Sequence, residues 1–530
     1  MCHKTKENTA EDDFTILGKL LKRAEAGDHE AQLDLGTFHY LGKGTPKDRA
    51  LATEWFEKAA LSGNLEAQYI LGKTLLEGGG AGERPRALKW LKKAAHGSHT
   101  EAQAEMGNLY LRGLERDLER NYLSAYQLFE KAALSGHVEA QRNLGLMCLG
   151  GRGSDPDPER AFMWFKLSAM SGDTRARFNL GLMLFTGEGC QRDYLEAREW
   201  FEKAASEGCA SSEFYLGIIH GEGRGVPKDP QKALEFYKLS SLKGYPKAMY
   251  FLGLQYLKGE DLERDPEEAF FWLQKAADAY YHYAPLELGK LYLEGIGAPK
   301  DHKKALECFT RAQEWGVAQA SSYLSTMYLE GLGTEIDYDK ALYHSQRATE
   351  INSPEGTLNL GLMLQRGLGT KRDPRVALEL ISRAASMGSS KALYELGRMY
   401  YEGDCLNQSN DRASEYFSQA AALGHPGGMF YLGLMLLNGH GSSYDPQRGV
   451  DLVKSAALKR FPKAMRYLGM MYLSGLVVEI DEKLGNMWLD RFKSVEREKS
   501  DLDKPLDPDA KAEDPEDQKE ALSPLKGLEI

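Results

Sequence analysis

The 530 residues include only six cysteines, at positions 2, 148, 190, 209, 308 and 405, with no C-x-x-C pair and no regular spacing. That excludes a disulfide-stapled scaffold and a zinc ribbon, and it points to a reducing compartment. No apolar run approaches the roughly 18 residues of a membrane span. Met1 to Asp13 is polar and lacks an apolar signal region, so no cleavable leader is expected. Excess positive charge is missing as well. The net charge is −11, and the last 37 residues carry twelve acids against six bases, which leaves −5 on the other 493. A near-neutral body of this kind is no general nucleic-acid binder.

Catalytic and metal motifs are scarce too. No G-x-S-x-G occurs, and Gly221-Glu-Gly-Arg-Gly225 has neither a preceding strand nor a G-x4-G-K-[ST] pattern. His96 and His99 stand three apart without a third ligand nearby, and His29-Glu30 has no second His. Asp155-Pro-Asp157 looks like a calcium loop only superficially; with Pro158 behind it, Asp157 fits a helix cap better. Ser240-Ser-Leu-Lys243 matches Ser-x-x-Lys but has no partner motif. We expect no enzyme, no cofactor, no metal and no small-molecule substrate.

What the chain has in abundance is repetition. A Leu-Gly pair falls at Leu35, Leu71, Leu144, Leu180, Leu216, Leu252, Leu288, Leu360, Leu396, Leu432 and Leu468, with Met106-Gly and Leu324-Ser as variants. Ten of the twelve intervals are 36 residues, and the others are 35 and 38. Four residues before the Leu stands Ala in ten copies; seven after it stands Gly in all; thirteen after it stands Asp in ten. A fixed period of this length marks a stacked-repeat protein.

Ala, Leu and the residue four further on, often Tyr, share one face of a 3.6-period helix. The Gly seven residues after the Leu ends that helix in a left-handed cap. After a short loop the Asp caps a second helix, with Pro at its first position in five copies (Pro158, Pro230, Pro266, Pro374, Pro446). The second helix carries Ala and Trp or Phe inward and ends at a corner Gly such as Gly63, Gly136 or Gly208. Each hairpin has too little core to stand alone, and stacking buries the rest.

The string A-x3-LG-x2-Y-x2-G-x-G, followed by D-x3-A, W/F and AA-x-x-G, resembles the Sel1-like repeat, a relative of the tetratricopeptide repeat with a longer interhelical loop. The resemblance implies an all-α, right-handed α-solenoid of about thirteen repeats that acts as a cytoplasmic scaffold or adaptor for other proteins. We expect residues 1–27 to form an N-terminal capping helix, 28–493 the repeats, and 494–530 an acidic, Pro-containing disordered tail. Weak corners fall at Tyr280 to Tyr283, Asn352-Ser353-Pro354 and Arg460-Phe461-Pro462.

Partner binding is expected along the inner curve, on the apolar residues two before and two after the marker Leu: Phe178, Leu182, Phe214, Ile218, Tyr250, Leu254, Tyr394, Phe430 and Leu434, with Tyr280 and Tyr281 as a second aromatic patch. The residues five after the marker, Phe185, Leu257, Tyr401 and Leu437, continue the stripe; the competing reading is that these and some of the +2 residues pack against the next repeat, and that the Tyr280 to Tyr283 corner simply packs without Gly. The tail permits two readings, a solubilising end or the acidic C-terminal export signal of a bacterial effector delivered into a host cell without a cleavable signal. A cell-wall hydrolase is the remote third alternative.

Overall fold

The computed structural model describes residues 16–80, 82–114, 117–260, 263–404, 406–441 and 443–502, with side chains to 497. A first helix over 16–25 is followed by twenty-six helices that pair as thirteen hairpins, from His29–Leu41 with Arg49–Leu61 to Pro462–Ser474 with Glu482–Leu502. Among the described residues there is no strand, only an isolated bridge between Leu114 and Leu118. The hairpins group into two compact units, one ending at Tyr281 and one beginning at His282. Each is a stretch of α-solenoid: seven repeats with the first helix in one, six repeats in the other.

The loops follow from local chemistry. Asp48, Asp157, Asp193, Asp229, Asp265, Asp301, Asp337, Asp373 and Asp445 each accept a hydrogen bond from a first-turn amide of the second helix. The same residue's own N–H donates back to the first helix, as in Asp193 to the Leu184 carbonyl at 2.9 Å and Asp301 to that of Tyr292 at 2.9 Å. One residue thus fixes both ends of the loop. Repeat 2 departs from the pattern: Gly78 stays helical, Gly79 takes the left-handed cap at φ 69°, and Gly82 caps the second helix without a side chain.

The Leu-Gly pair explains the packing within a hairpin. Marker residues such as Leu71, Leu144, Leu180, Leu252 and Leu468 are fully buried. The Gly beside each leaves room for a large residue of the second helix. A Cβ on Gly145 would lie 2.8 Å from the Phe165 ring, on Gly181 2.8 Å from Phe201, and on Gly397 2.6 Å from Phe417. Repeat 9 solves the same problem the other way. Ser325 replaces Gly, Ser345 replaces the aromatic, and their hydroxyls meet at 2.7 Å.

The first helix seats Leu20 and Ala24 against Leu35 and Trp55, as a cap on the stack. At the far end the last helix runs on to Leu502, past Ser494, where the sequence period stops and the disordered tail was expected to begin. The rest of the acidic tail, including the segment behind the export-signal reading, lies outside the described residues. Three of the weak corners carry non-glycine residues at positive φ, Tyr280 at 61°, Asn352 at 56° and Arg460 at 61°, and Ser98 at 69° is a fourth.

Candidate protein-binding face

On most first helices, positions −5, +2 and +6 relative to the marker Leu point away from the core, within about 40° of one another at 100° per residue; Leu362 and Gly427 are buried exceptions. Repeat 4 shows this plainly: Glu139, Leu146 and Gly150 are exposed, and the residues beside them are buried or half-buried. In the first unit the +2 position is aliphatic in four consecutive repeats, Leu146, Leu182, Ile218 and Leu254. Leu146 is 46% exposed and the others are half-buried. In the second unit Lys290, Thr326 and Arg398 interrupt the row; of its apolar +2 residues Leu362 is buried, Leu434 is half-buried and Met470 is exposed.

The aromatics at −2 do a different job from the one expected. Phe214 is fully buried, packed against Tyr245, the cap residue of the next first helix, and Phe251 within that helix, at 5.6 and 5.1 Å between ring centroids. Phe430 is 5% exposed and meets Phe461 and Tyr467 of the next repeat. Neither can touch a partner, and both are corrections to the sequence reading. Phe178 and Tyr394 are half-buried in equivalent interlocks, against Tyr215 at 5.8 Å and Tyr431 at 6.0 Å, and Tyr250 is half-buried against the corner residue Tyr281 at 4.9 Å. The cause is that consecutive first helices approach closely enough for a ring at −2 to reach the next repeat's −1 position, which a single-helix wheel does not reveal. Tyr281 is therefore half-buried, whereas Tyr280 is 79% exposed on its strained backbone.

The −1 residues were missed in the sequence. Tyr215 stacks on Phe201 of the preceding repeat (5.3 Å, 16°), Tyr323 on Phe309 (4.6 Å, 11°) and Tyr431 on Phe417 (5.2 Å, 16°). Each ring closes over the Phe that fills the preceding repeat's glycine notch. The clue was available in the chain: aromatics stand at −1 at Tyr215, Phe251, Tyr323, Tyr431 and Tyr467. Burial raises the phenol pKa of Tyr215 and Tyr323, and pushes Tyr245 and Tyr394 up to about 12, so these hydroxyls stay neutral.

Two cavities open on this face of the first unit. One of about 600 Å³ spans repeats 5 to 7 and includes Tyr215, Ile218, Lys247, Phe251, Gln255 and Lys258. The other, about 330 Å³, includes Leu146, Arg175, Phe178 and Asn179. The second unit has a polar hollow of about 330 Å³ at repeats 10 and 11. There burial raises the pKa of Glu395, against the opposing pull of Arg398, whose guanidinium bonds Glu402 and Glu395.

His99, Asp157, Ser240 and Lys243 each make contacts that hold the fold. His99 caps its helix through Nδ1, which accepts from the Ala102 N–H, and its Nε2 lies 2.7 Å from Glu66. Asp157 accepts from the Arg160 N–H at 2.9 Å. The Ser240 hydroxyl is buried and donates to the Ala210 carbonyl, while Lys243 pairs with Glu213 at 2.6 Å. Among the described residues no group of three His, Cys, Asp or Glu side chains gathers as a metal site, and no helix is long and apolar enough to cross a membrane.

The family model for the Sel1 repeat matches thirteen times in succession, from residues 29–64 to 462–492. The match boundaries follow the hairpins, including a break at 281/282, where the two units meet in sequence. A crystal structure of a protective antigen of uropathogenic Escherichia coli, described as having an SLR fold, aligns with a TM-score of 0.60 at 24% identity, over 94% of this chain and 99% of that one. A Sel1 repeat protein from Oxalobacter formigenes aligns over 59% of this chain and 94% of its own, at 27% identity and a TM-score of 0.42. No curated protein shows a significant sequence match.

Proposed function

This chain belongs to the Sel1-repeat family, whose members are generally protein-interaction scaffolds, and we propose that it works as a non-catalytic adaptor in a reducing, cytoplasmic setting and holds a protein partner along the first helices of its first unit. The observation that carries this reading is the row of Leu146, Leu182, Ile218 and Leu254, four accessible aliphatics at 36-residue steps beside two cavities. Neighbouring packed helices lie about 8–10 Å apart. That pitch suits every third residue of an extended chain, at about 3.3 Å per residue, or heptad positions of a helix, at about 1.5 Å per residue. Raised thiol pKa values at Cys148, Cys190 and Cys308, the last pushed up to about 11 by burial, make these cysteines poor nucleophiles and fit a structural role.

The test is site-resolved photocrosslinking in the full chain. A photoreactive residue at 182 or 254 should capture the same partner, and one at the exposed second-helix residue Leu239 should not. Leu146→Asp with Leu254→Asp should abolish the capture while helicity is retained. Equal capture from position 239, or capture unaffected by the two Asp substitutions, would overturn the assignment of this face.

A further inference from the structure

The larger cavity has a chemical character that the aliphatic row alone does not specify. Its apolar lining includes Tyr215, Ile218 and Phe251, together with Phe185 and Tyr237. Lys247 lies half-buried, its ammonium 5.2 Å from the Phe214 ring centre and 5.6 Å from that of Tyr215. Lys258 stands exposed at the rim. Neither lysine has a carboxylate partner among the described residues, in a chain where most half-buried cations of the first unit do: Arg142 pairs with Asp173, Arg177 with Glu207, and Arg224 with Glu222. Two acids also line the cavity. Glu222 is taken up by Arg224, whose guanidinium lies over Phe185 at 4.7 Å, and Glu260 is exposed at the edge. At the wall, the side-chain carbonyl oxygen of Gln255 is buried with no donor to satisfy it. A buried acceptor left unpaired is costly, and a main-chain N–H is the commonest group that could meet it.

The charge along the same face is graded. At −5 the first four repeats carry Glu30, Glu66, Glu101 and Glu139, all exposed; repeats 5 and 7 carry Arg175 and Lys247 instead. An acidic segment is therefore repelled from repeats 1 to 4 and attracted to repeats 5 to 7, which fixes where along the row it sits. The second cavity, with Arg175 and Phe178, continues this environment by one repeat, so the site is longer than a single side chain.

We propose that repeats 5 to 7 bind an acidic peptide segment of a partner protein. One aromatic or branched aliphatic side chain enters against Tyr215, Ile218 and Phe251. Flanking Asp or Glu carboxylates meet Lys247 and Lys258, and a peptide N–H donates to the Gln255 carbonyl. The inference rests on the adaptor reading and narrows it to one class of ligand.

The experiment is selection of a random peptide library on the full chain, with the enriched peptides remade with a fluorescent label and titrated by polarisation. Enrichment of an apolar residue with an acid within two positions is the expected result. Binding should weaken as salt rises. The pair Lys247→Met and Lys258→Met keeps the aliphatic stems over the rings and should lower affinity by about tenfold, equivalent to about 1.4 kcal/mol. Replacing the apolar residue of the peptide by Ala should cost at least as much. Peptides enriched without acids, or acidic peptides bound equally by the double Met variant, would overturn the proposal, as would a library that yields no binder. A partner still captured at position 182 and lost on Leu254→Asp, but indifferent to both lysines, would leave the adaptor reading standing and this inference refuted. Single-stranded DNA that competes as well as the peptide would refute the peptide assignment in favour of a general polyanion site.

Discussion

Replacing Gly181 by Ala tests the glycine notch directly. The added Cβ would lie 2.8 and 2.9 Å from two atoms of the Phe201 ring and 3.2 Å from a third. The ring cannot swing aside, because Tyr215 stacks on it at 5.3 Å. Overpacking of this kind costs about 1–3 kcal/mol, and replacing a mid-helix Gly by Ala returns up to about 1 kcal/mol. The net loss should be about 1 kcal/mol, which quickens amide exchange in repeat 5 about fivefold. Local exchange is the right assay, since a stacked array does not unfold as one two-state unit. Two controls bracket the reasoning. Gly18 lies in the first helix with nothing within 4 Å of an added Cβ, so Gly18→Ala should slow local exchange, a gain of about 0.5–1 kcal/mol. In a Phe201→Ala background the notch is vacant, and Gly181→Ala should become neutral or stabilising. If Gly181→Ala protects repeat 5 in the wild-type chain, or costs the same with and without Phe201, the notch is not what holds the hairpin together.

The remaining predictions concern caps, corners and pH. Asp193→Ala removes the acceptor for the Leu195 and Glu196 amides and should cost about 1 kcal/mol, seen as faster exchange confined to the second helix Tyr194–Ser206; unchanged protection there would refute its capping role. Ser98→Gly relieves a non-glycine residue at φ 69° and should stabilise its corner by about 0.5–1 kcal/mol, measurable as slower exchange around residues 93–103; a loss would mean that the corner is not strained. Burial lowers the pKa of His344 and of His425 to about 4 each. An unfolded imidazole titrates near about 6.5, so between these values the unfolded chain binds more protons, and stability falls as pH drops through the window and levels off near 4. His425 Nδ1 accepts from the Gly428 N–H at 3.2 Å, so His425→Asn, which keeps a capping acceptor without a titrating ring, should flatten the loss in thermal melts from pH 7 to 4; an unaltered profile would assign the pH dependence elsewhere.

The sequence made the hairpin legible because its determinants are local. An Asp that caps, a Gly that ends a helix and a Leu-Gly pair facing inward act within a few residues, and a 36-residue recurrence multiplies the signal. Even the strained corners at Tyr280, Asn352 and Arg460 showed themselves as missing glycines. The face was legible only in part. Leu182, Ile218 and Leu254 lie where the wheel puts them, but Phe214 and Phe430 are swallowed by the next repeat. Their fate depends on how closely adjacent first helices approach, a distance no single helix encodes. Tyr215 and Phe251 were overlooked because a ring at −1 lies on the flank of the wheel and gains its meaning from the Phe of the repeat before. Lys247 carries no local signature at all: it stands out only because the structure supplies most half-buried cations of the first unit with carboxylates and gives this one none.

The stacking of Tyr215 on Phe201, Tyr323 on Phe309 and Tyr431 on Phe417 runs in one direction, each ring covering a residue of the copy made before it. During synthesis the chain emerges from the same end. A Phe that has settled into its notch therefore waits, uncovered on one side, until the next first helix has been translated. At about 5–20 residues per second, a 36-residue step takes about 2–7 s. At each of these three junctions the nascent protein carries an unfinished repeat at its growing edge until the next repeat completes it.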